Sequence, residues 1–168
     1  MTSTEAVMFR DIVLGFIENE AKSTKRVIAA LPDAKRQYRP DDRSRTGWEL
    51  AAHIALSDKW FADSVARGAF VWAGEPALPA EFTSPEAVAR WYETVMSESV
   101  KTLRTLTPEQ LSKEVEFFGR KAPAVLWLLM MLSHTVHHRG QLAAYLRAAG
   151  GKVPAIYGVS ADENLMGT

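Results

Sequence analysis

A chain of 168 residues can bury one substantial core and is too short for two domains of ordinary size. Apolar residues make up 47% and charged residues 24%, which excludes a disordered chain, and twenty basic residues balance twenty acidic ones, leaving no net field to hold nucleic acid or an anionic membrane. The absence of cysteine removes disulfides, thiolate metal sites and a cysteine nucleophile together.

At the N-terminus, Glu5, Arg10, Asp11 and Glu18 interrupt any apolar signal core, so a soluble, cytoplasmic protein is expected. Apolar positions from Val7 to Leu31 recur at helical spacing and predict a first helix over residues 4–31, closed by Leu31-Pro32-Asp33. Its middle, Glu18 to Arg26, is mostly polar and is expected to sit least securely in the core. The charged stretch from Lys35 to Arg45 is diluted by aspartates and reads as a solvated loop.

Thr46-Gly47-Trp48-Glu49 has the pattern of a capping box, opening a second helix that runs to about Arg67 with Gly68 as its stop. Residues 68–83 form a loop long enough to serve as a lid or an interface. Ser84-Pro85-Glu86 starts a third helix, and Thr107-Pro108-Glu109-Gln110 starts a short helical turn. Val115 to Phe118 reads as an extended connector ended by Gly119. The apolar run from Ala122 predicts one long fourth helix, ended by Gly150-Gly151. The tail, Lys152 to Thr168, is partly apolar and is expected to pack back on the rest, as part of a single all-α domain, a four-helix bundle.

Three of the four histidines fall within five residues of the fourth helix, in Ser133-His134-Thr135-Val136-His137-His138-Arg139-Gly140-Gln141. Residues four apart on a helix lie about 40° apart, so His134 and His138 can aim both imidazoles at one point. His134 with His137 is the alternative. On the helical wheel, however, Trp127, Met131, Leu142 and Tyr145 share the His138 side and His137 falls on its flank, which makes His138 the better ligand.

His53, the remaining histidine, lies mid-helix among Ala51, Ala52, Ile54 and Leu56, and a lone histidine there is more often a core residue than a ligand. In a bundle, metal sites are built from facing helices, so His53 becomes a candidate third ligand. An all-imidazole set suits zinc, nickel, copper or iron. Di-iron bundles need Glu-x-x-His, but Met131 and Leu50 stand three residues before His134 and His53. The zinc-protease pattern fails because Thr135 stands where its glutamate belongs; haem ligation by two histidines stays open, without an attachment motif to support it. Gln141 is placed to orient a ligand or water, and Tyr145 to offer a phenol to substrate. Arg139 lies away from the metal face and is expected to contact another helix or the tail. The tryptophans read as core or pocket wall, Glu49 as a cap, and Asp58 as out of phase with His53.

The block from His134 to Leu142, followed by Tyr145-Leu-Arg and Gly150-Gly-Lys-Val-Pro154, resembles the DinB-like (YfiT-like) metalloenzyme family. Trp48-Glu-Leu-Ala-Ala-His53 matches the place of that family's first ligand. The resemblance covers nearly the whole chain. It implies an up-down-down-up bundle with a long crossover between the second and third helices. It also implies a divalent ion, nickel or zinc, on His53, His134 and His138; beside these, the spacing itself offers His137, Gln141 and Tyr145 as neighbours of ligand or substrate. A homodimer with a small-molecule substrate is implied as well, along with activation of a low-molecular-weight thiol in a transferase or isomerase. Two other readings stand beside it: hydrolysis by metal-bound water, and a non-catalytic metal- or small-ligand-binding dimer in a stress response.

Overall fold

The computed structural model describes residues 1–74 and 76–163; Glu75 in the crossover loop and the tail beyond 163 lie outside the described residues. The described residues form five α-helices and one hairpin: α1 (Ser3–Ala29), α2 (Gly47–Arg67), α3 (Pro85–Arg104), α4 (Pro108–Ser112), β1 (Glu114–Phe117), β2 (Arg120–Pro123) and α5 (Trp127–Ala148). Four of the helices start from a side chain that caps a free backbone amide. Thr2, Thr46 and Thr107 close capping boxes with Glu5, Glu49 and Gln110, and Ser84 caps α3 alone. Gly68, at φ 71°, adopts the left-handed conformation that ends α2.

The long helices pack in a ring, α1 on α3, α3 on α2, α2 on α5 and α5 on α1. Their directions follow from residue pairs. Arg10 of α1 donates to the Arg104 carbonyl at the end of α3, while Lys25 pairs with Glu93 nearer its start, so these two are antiparallel. Asp58 meets Tyr92, and the later residues Asp63 and Ala66 share a surface cleft with Glu98 and Thr102, so α2 and α3 run parallel. His53 meets His138 and Asp58 meets Thr135, which makes α2 and α5 antiparallel. The order is up-down-down-up, and the parallel α2–α3 pair is what requires the long crossover.

Two local expectations need correction. The fourth long helix begins at Trp127 rather than Ala122, because Ala122 and Pro123 belong to β2 and residues 124–126 form a 3-10 turn. Proline has no amide to donate in a helix interior, and it pushes the residue before it toward extended backbone. Val115 to Phe118 is therefore no lone connector. Glu114 pairs with Pro123 and Phe117 with Arg120, and Phe118 and Gly119, both at positive φ, make the two-residue turn.

The core is drawn from every long helix, with Leu14, Ile28, Ile54, Val88, Leu103, Leu128, Met131 and Leu142 almost fully shielded. The polar middle of α1 is mostly exposed or half-buried, as its pattern implies, with Thr24 as its one buried residue. Thr24 is fully buried there because Arg139 reaches across from α5 to Thr24 and Glu20. Beyond α5 the chain returns to the bundle: Arg26 donates to the Ala155 carbonyl at 3.0 Å, and Arg147 pairs with Asp162 at 2.9 Å.

Candidate metal centre

α2 and α5 bring three imidazoles together. His53 Nε2 lies 3.2 Å from His134 Nε2 and 3.3 Å from His138 Nε2. Ligand-capable atoms of all three lie within 4.8 Å of one another, and each residue is half-buried. The edge of a tetrahedron around a zinc-sized ion with about 2.0 Å bonds to nitrogen is about 3.3 Å.

The protons support the same arrangement. His138 Nδ1–H donates to Gln141 Oε1 at 2.7 Å, which leaves a lone pair on His138 Nε2. Ser57 Oγ lies 3.3 Å from His53 Nδ1. His134 Nδ1 is buried with no partner among the described residues, so no hydrogen bond selects its tautomer. A single proton on His53 Nε2 would satisfy one of its two close contacts; a cation among the lone pairs satisfies all three. The donor set therefore fits a divalent ion.

The imidazoles are also prepared to stay neutral. Burial first, then the nearby positive charge of Arg45 and the other imidazoles, lowers His53 to about 3. Burial, then His138, His137 and Arg45, lowers His134 to about 4. His138 is lowered by burial, against the raising effect of its bond to Gln141. Part of the shielding is aromatic. Phe61 packs 5.7 Å from the His134 ring and belongs to a cluster with Trp60, Phe70, Phe117 and Trp127. The hairpin and the start of the crossover loop thus wall one end of the site, with Trp60 Nε1 donating to the Val71 carbonyl at 3.1 Å.

These shifts make stability depend on pH. As pH falls, these histidines protonate in the unfolded chain near 6.5 but resist doing so in the fold, so the unfolded state gains protons first. The metal-free protein should therefore lose stability as pH drops below about 6.5, down toward the values of about 3 to 4 held by His53 and His134. Asp58 acts in the opposite sense: burial raises it to about 7, so its contribution is lost as pH rises toward that value. Thermal melts in chelator from neutral to acid pH, for the parent and His53→Gln, separate the two. The variant should show the weaker acid loss; an equal loss contradicts the assignment.

The other predicted site residues divide. Gln141 holds His138, in keeping with its helical position. His137 is exposed, its ring 4.8 Å from that of His138, and it is not one of the three convergent imidazoles. Tyr145 packs edge-on against Tyr38 with ring centroids 5.8 Å apart, at the half-buried end of α5. Glu49 caps α2 and Trp48 lies beneath the Arg36 guanidinium.

Sequence reasoning missed the buried group beside the site. Asp58, 1% exposed, accepts from the Tyr92 hydroxyl and contacts the Thr135 hydroxyl, each at 2.7 Å. A signal was available. Asp58 stands on the buried stripe of α2 that runs through Ala51, Ile54, Ala55, Phe61 and Val65, where an acid needs partners.

A family model described as the DinB family matches residues 8–165. The chain belongs to the DinB family. Among curated relatives, YrdA of Bacillus subtilis, described as uncharacterized, is 26% identical over 147 residues, covering 87% of this chain and 86% of YrdA. YjoA of the same organism, also described as uncharacterized, is 29% identical over 116 residues, covering 67% of this chain and 73% of YjoA. The crystal structure of that DinB-like YjoA superposes with a TM-score of 0.69 at 26% identity, over 84% of this chain and 94% of its own. A DinB-like protein from Bacillus cereus gives 0.71 at 27%, over 86% and 95%. Among the described residues, no helix is long and apolar enough to cross a membrane.

Proposed function

We propose that this DinB-family protein is a divalent-metal-dependent enzyme, with nickel or zinc on His53, His134 and His138, that activates a low-molecular-weight thiol for a transferase or isomerase reaction on a small molecule. The observation that carries the reading is the convergence of three imidazoles from two facing helices, with His53 Nε2 at 3.2 and 3.3 Å from the other two Nε2 atoms, near the edge of a coordination tetrahedron, and all three ligand atoms within 4.8 Å. His53, His134 and His138 would hold the ion, which would supply a Lewis acid able to lower the pKa of a bound thiol or water.

The chain's own groups favour thiol over water. The imidazole nitrogens have Gln141, Ser57 and one another as hydrogen-bond neighbours, and no carboxylate bonds to them among the described residues. A thiol bound there would release its proton to solvent and be available as thiolate, whereas hydrolysis by water generally draws on a positioned base. Phe61 and its aromatic neighbours keep bulk water from one end of the site and strengthen its electrostatics. Location in the cytoplasm and assembly as a homodimer belong to the same reading. Exposed Met8, Ile12 and Phe16 on α1, with Leu129 and Met130 on α5, support the dimer, because single helical faces of this character call for a partner.

The test is an electrophile panel assayed with nickel- or zinc-loaded protein and with chelator-stripped protein, with and without bacillithiol, mycothiol or glutathione. Thiol-dependent turnover restricted to the loaded protein is expected. Turnover without thiol would replace the reading with hydrolysis. Bound metal with no turnover in any arm would replace it with a non-catalytic metal-binding role.

A further inference from the structure

Two pairs of sequence neighbours on α5 split their duties. His134 and His138 face α2 at the metal centre, while Thr135 and Arg139, one residue later in each case, are 3% and 1% exposed in the core. Those two belong to a polar layer that crosses the whole bundle. Thr135 meets Asp58 of α2, and Asp58 accepts from Tyr92 of α3. The Tyr92 hydroxyl in turn interacts with Thr24 of α1. Arg139 reaches Thr24 at 3.5 Å, the Glu20 carboxylate, and the Tyr157 hydroxyl beyond α5 at 2.5 Å.

Hydrogen counting shows how the centre of this layer is satisfied. Each hydroxyl has one proton to give. Tyr92 gives its proton to Asp58 Oδ2, and Thr135 Oγ1 lies 2.8 Å from the Met131 carbonyl and 2.7 Å from Asp58 Oδ1. With a proton on Asp58 Oδ1, the acid donates to Thr135 and Thr135 donates to Met131, so every donor has its own acceptor. Burial, which raises Asp58 to about 7, favours that protonated form.

We propose that Asp58 and Thr135 are positioning residues for the three-histidine centre: their bond sets the slide of α2 along α5 and the rotation of α5, and so the meeting point of the imidazoles. The inference rests on the metal-centre reading above. Asp58 follows His53 by five residues on α2 and Thr135 follows His134 directly on α5, so the bond joins the two ligand-bearing helices beside the ligands. Apolar helix packing alone leaves angular scatter of about 15–20°. At a side-chain radius of about 5–6 Å, a 20° rotation of α5 moves an imidazole nitrogen by about 2 Å. A working site tolerates about 0.5 Å. Dispersion contacts on a smooth apolar face do not resolve that difference; a directional bond between buried partners does.

The experiment uses the full chain with Asp58→Leu, Asp58→Asn and Thr135→Val, each stripped of metal and titrated with cobalt(II). It reads visible absorption and affinity, with helical circular dichroism and melting of the metal-free protein alongside. Asp58→Asn should keep the parent spectrum and affinity within about threefold, because a carboxamide accepts from Tyr92 and donates to Thr135 as the protonated acid does. Asp58→Leu and Thr135→Val should bind cobalt about 10- to 100-fold more weakly, the usual cost of losing a group that orients ligands, with altered band intensities. Thr135→Val nearly preserves side-chain shape and carries the test if Asp58→Leu does not fold. Parent-like affinity and spectrum in folded Asp58→Leu or Thr135→Val would overturn the proposal while leaving the metal centre standing. Equal loss in Asp58→Asn and Asp58→Leu would overturn it too, since charge and not bonding geometry would then matter. A parent protein that takes up no cobalt overturns the metal-centre reading, and this inference with it.

Discussion

His134→Ala is expected to abolish metal binding, and His53→Ala and His138→Ala to do the same, while His137→Ala retains about one equivalent per chain. Removing one imidazole leaves two ligands on a site whose Nε2 atoms converge at 3.2 and 3.3 Å. The loss should exceed the 10- to 100-fold cost typical of removing a group that only orients a ligand. Gln141→Leu gives that smaller loss, because it removes the acceptor of His138 Nδ1–H and leaves the coordinating nitrogens in place. Elemental analysis of protein purified without an affinity tag makes the comparison. Metal retained by His138→Ala but lost from His137→Ala would show that the exposed neighbour is the ligand. Metal retained by His53→Ala would reduce the site to the α5 pair.

Glu20→Ala should lower the melting temperature by about 6–20 °C, a cost of about 3–5 kcal/mol for a chain of this length. Arg139 side-chain atoms are 2% exposed and those of Glu20 15%, so the pair is shielded from solvent. Without Glu20, the guanidinium keeps the Tyr157 hydroxyl, the Thr24 hydroxyl and the residue-20 carbonyl as partners but loses its paired carboxylate in a low-dielectric core. An uncompensated buried charge is the large term; the net worth of the intact pair is much smaller. Arg139→Met should therefore cost less than Glu20→Ala, because the carboxylate it leaves behind sits nearer the surface. Combining the two should melt above Glu20→Ala alone. Differential scanning calorimetry on all three decides, and a shift below about 2 °C for Glu20→Ala would mean that solvent reaches the guanidinium.

The two predictions concern adjoining faces of the same motif. His134 and His138 point to α2, Thr135 and Arg139 to the core, and the one-residue offset on a helical step of about 100° is what separates them. A change at Arg139 or Thr135 therefore acts on the site through the setting of α5, and a change at His134 or His138 acts on it directly.

Local rules reach a definite depth in this chain. The capping boxes at Thr46 and Thr107, the Ser84-Pro85 start and the Gly68 stop are interactions between near neighbours, so these helix ends are legible from residue types alone. The pairing of His134 with His138 is legible for the same reason, because four residues on a helix is a fixed angle. The hairpin is not. Its strands hold polar Arg120 and Lys121 beside Pro123, and Phe118-Gly119 lacks the usual turn pair, so its pairing emerges only when residues 114 and 123 meet.

The depth of the core is hidden in another way. Glu20 and Thr24 look like a solvated helix middle until an arginine from a helix more than a hundred residues away inserts between them. Asp58 is out of phase with His53, and it is buried for that very reason, on the adjoining core stripe. The residues by themselves determined which side chains share a helical face, because that depends on a constant angle per residue. Only the tertiary structure decided which faces meet, how far α2 slides along α5 and whether His53 joins the α5 pair, because those depend on packing and buried hydrogen bonds between residues distant in sequence.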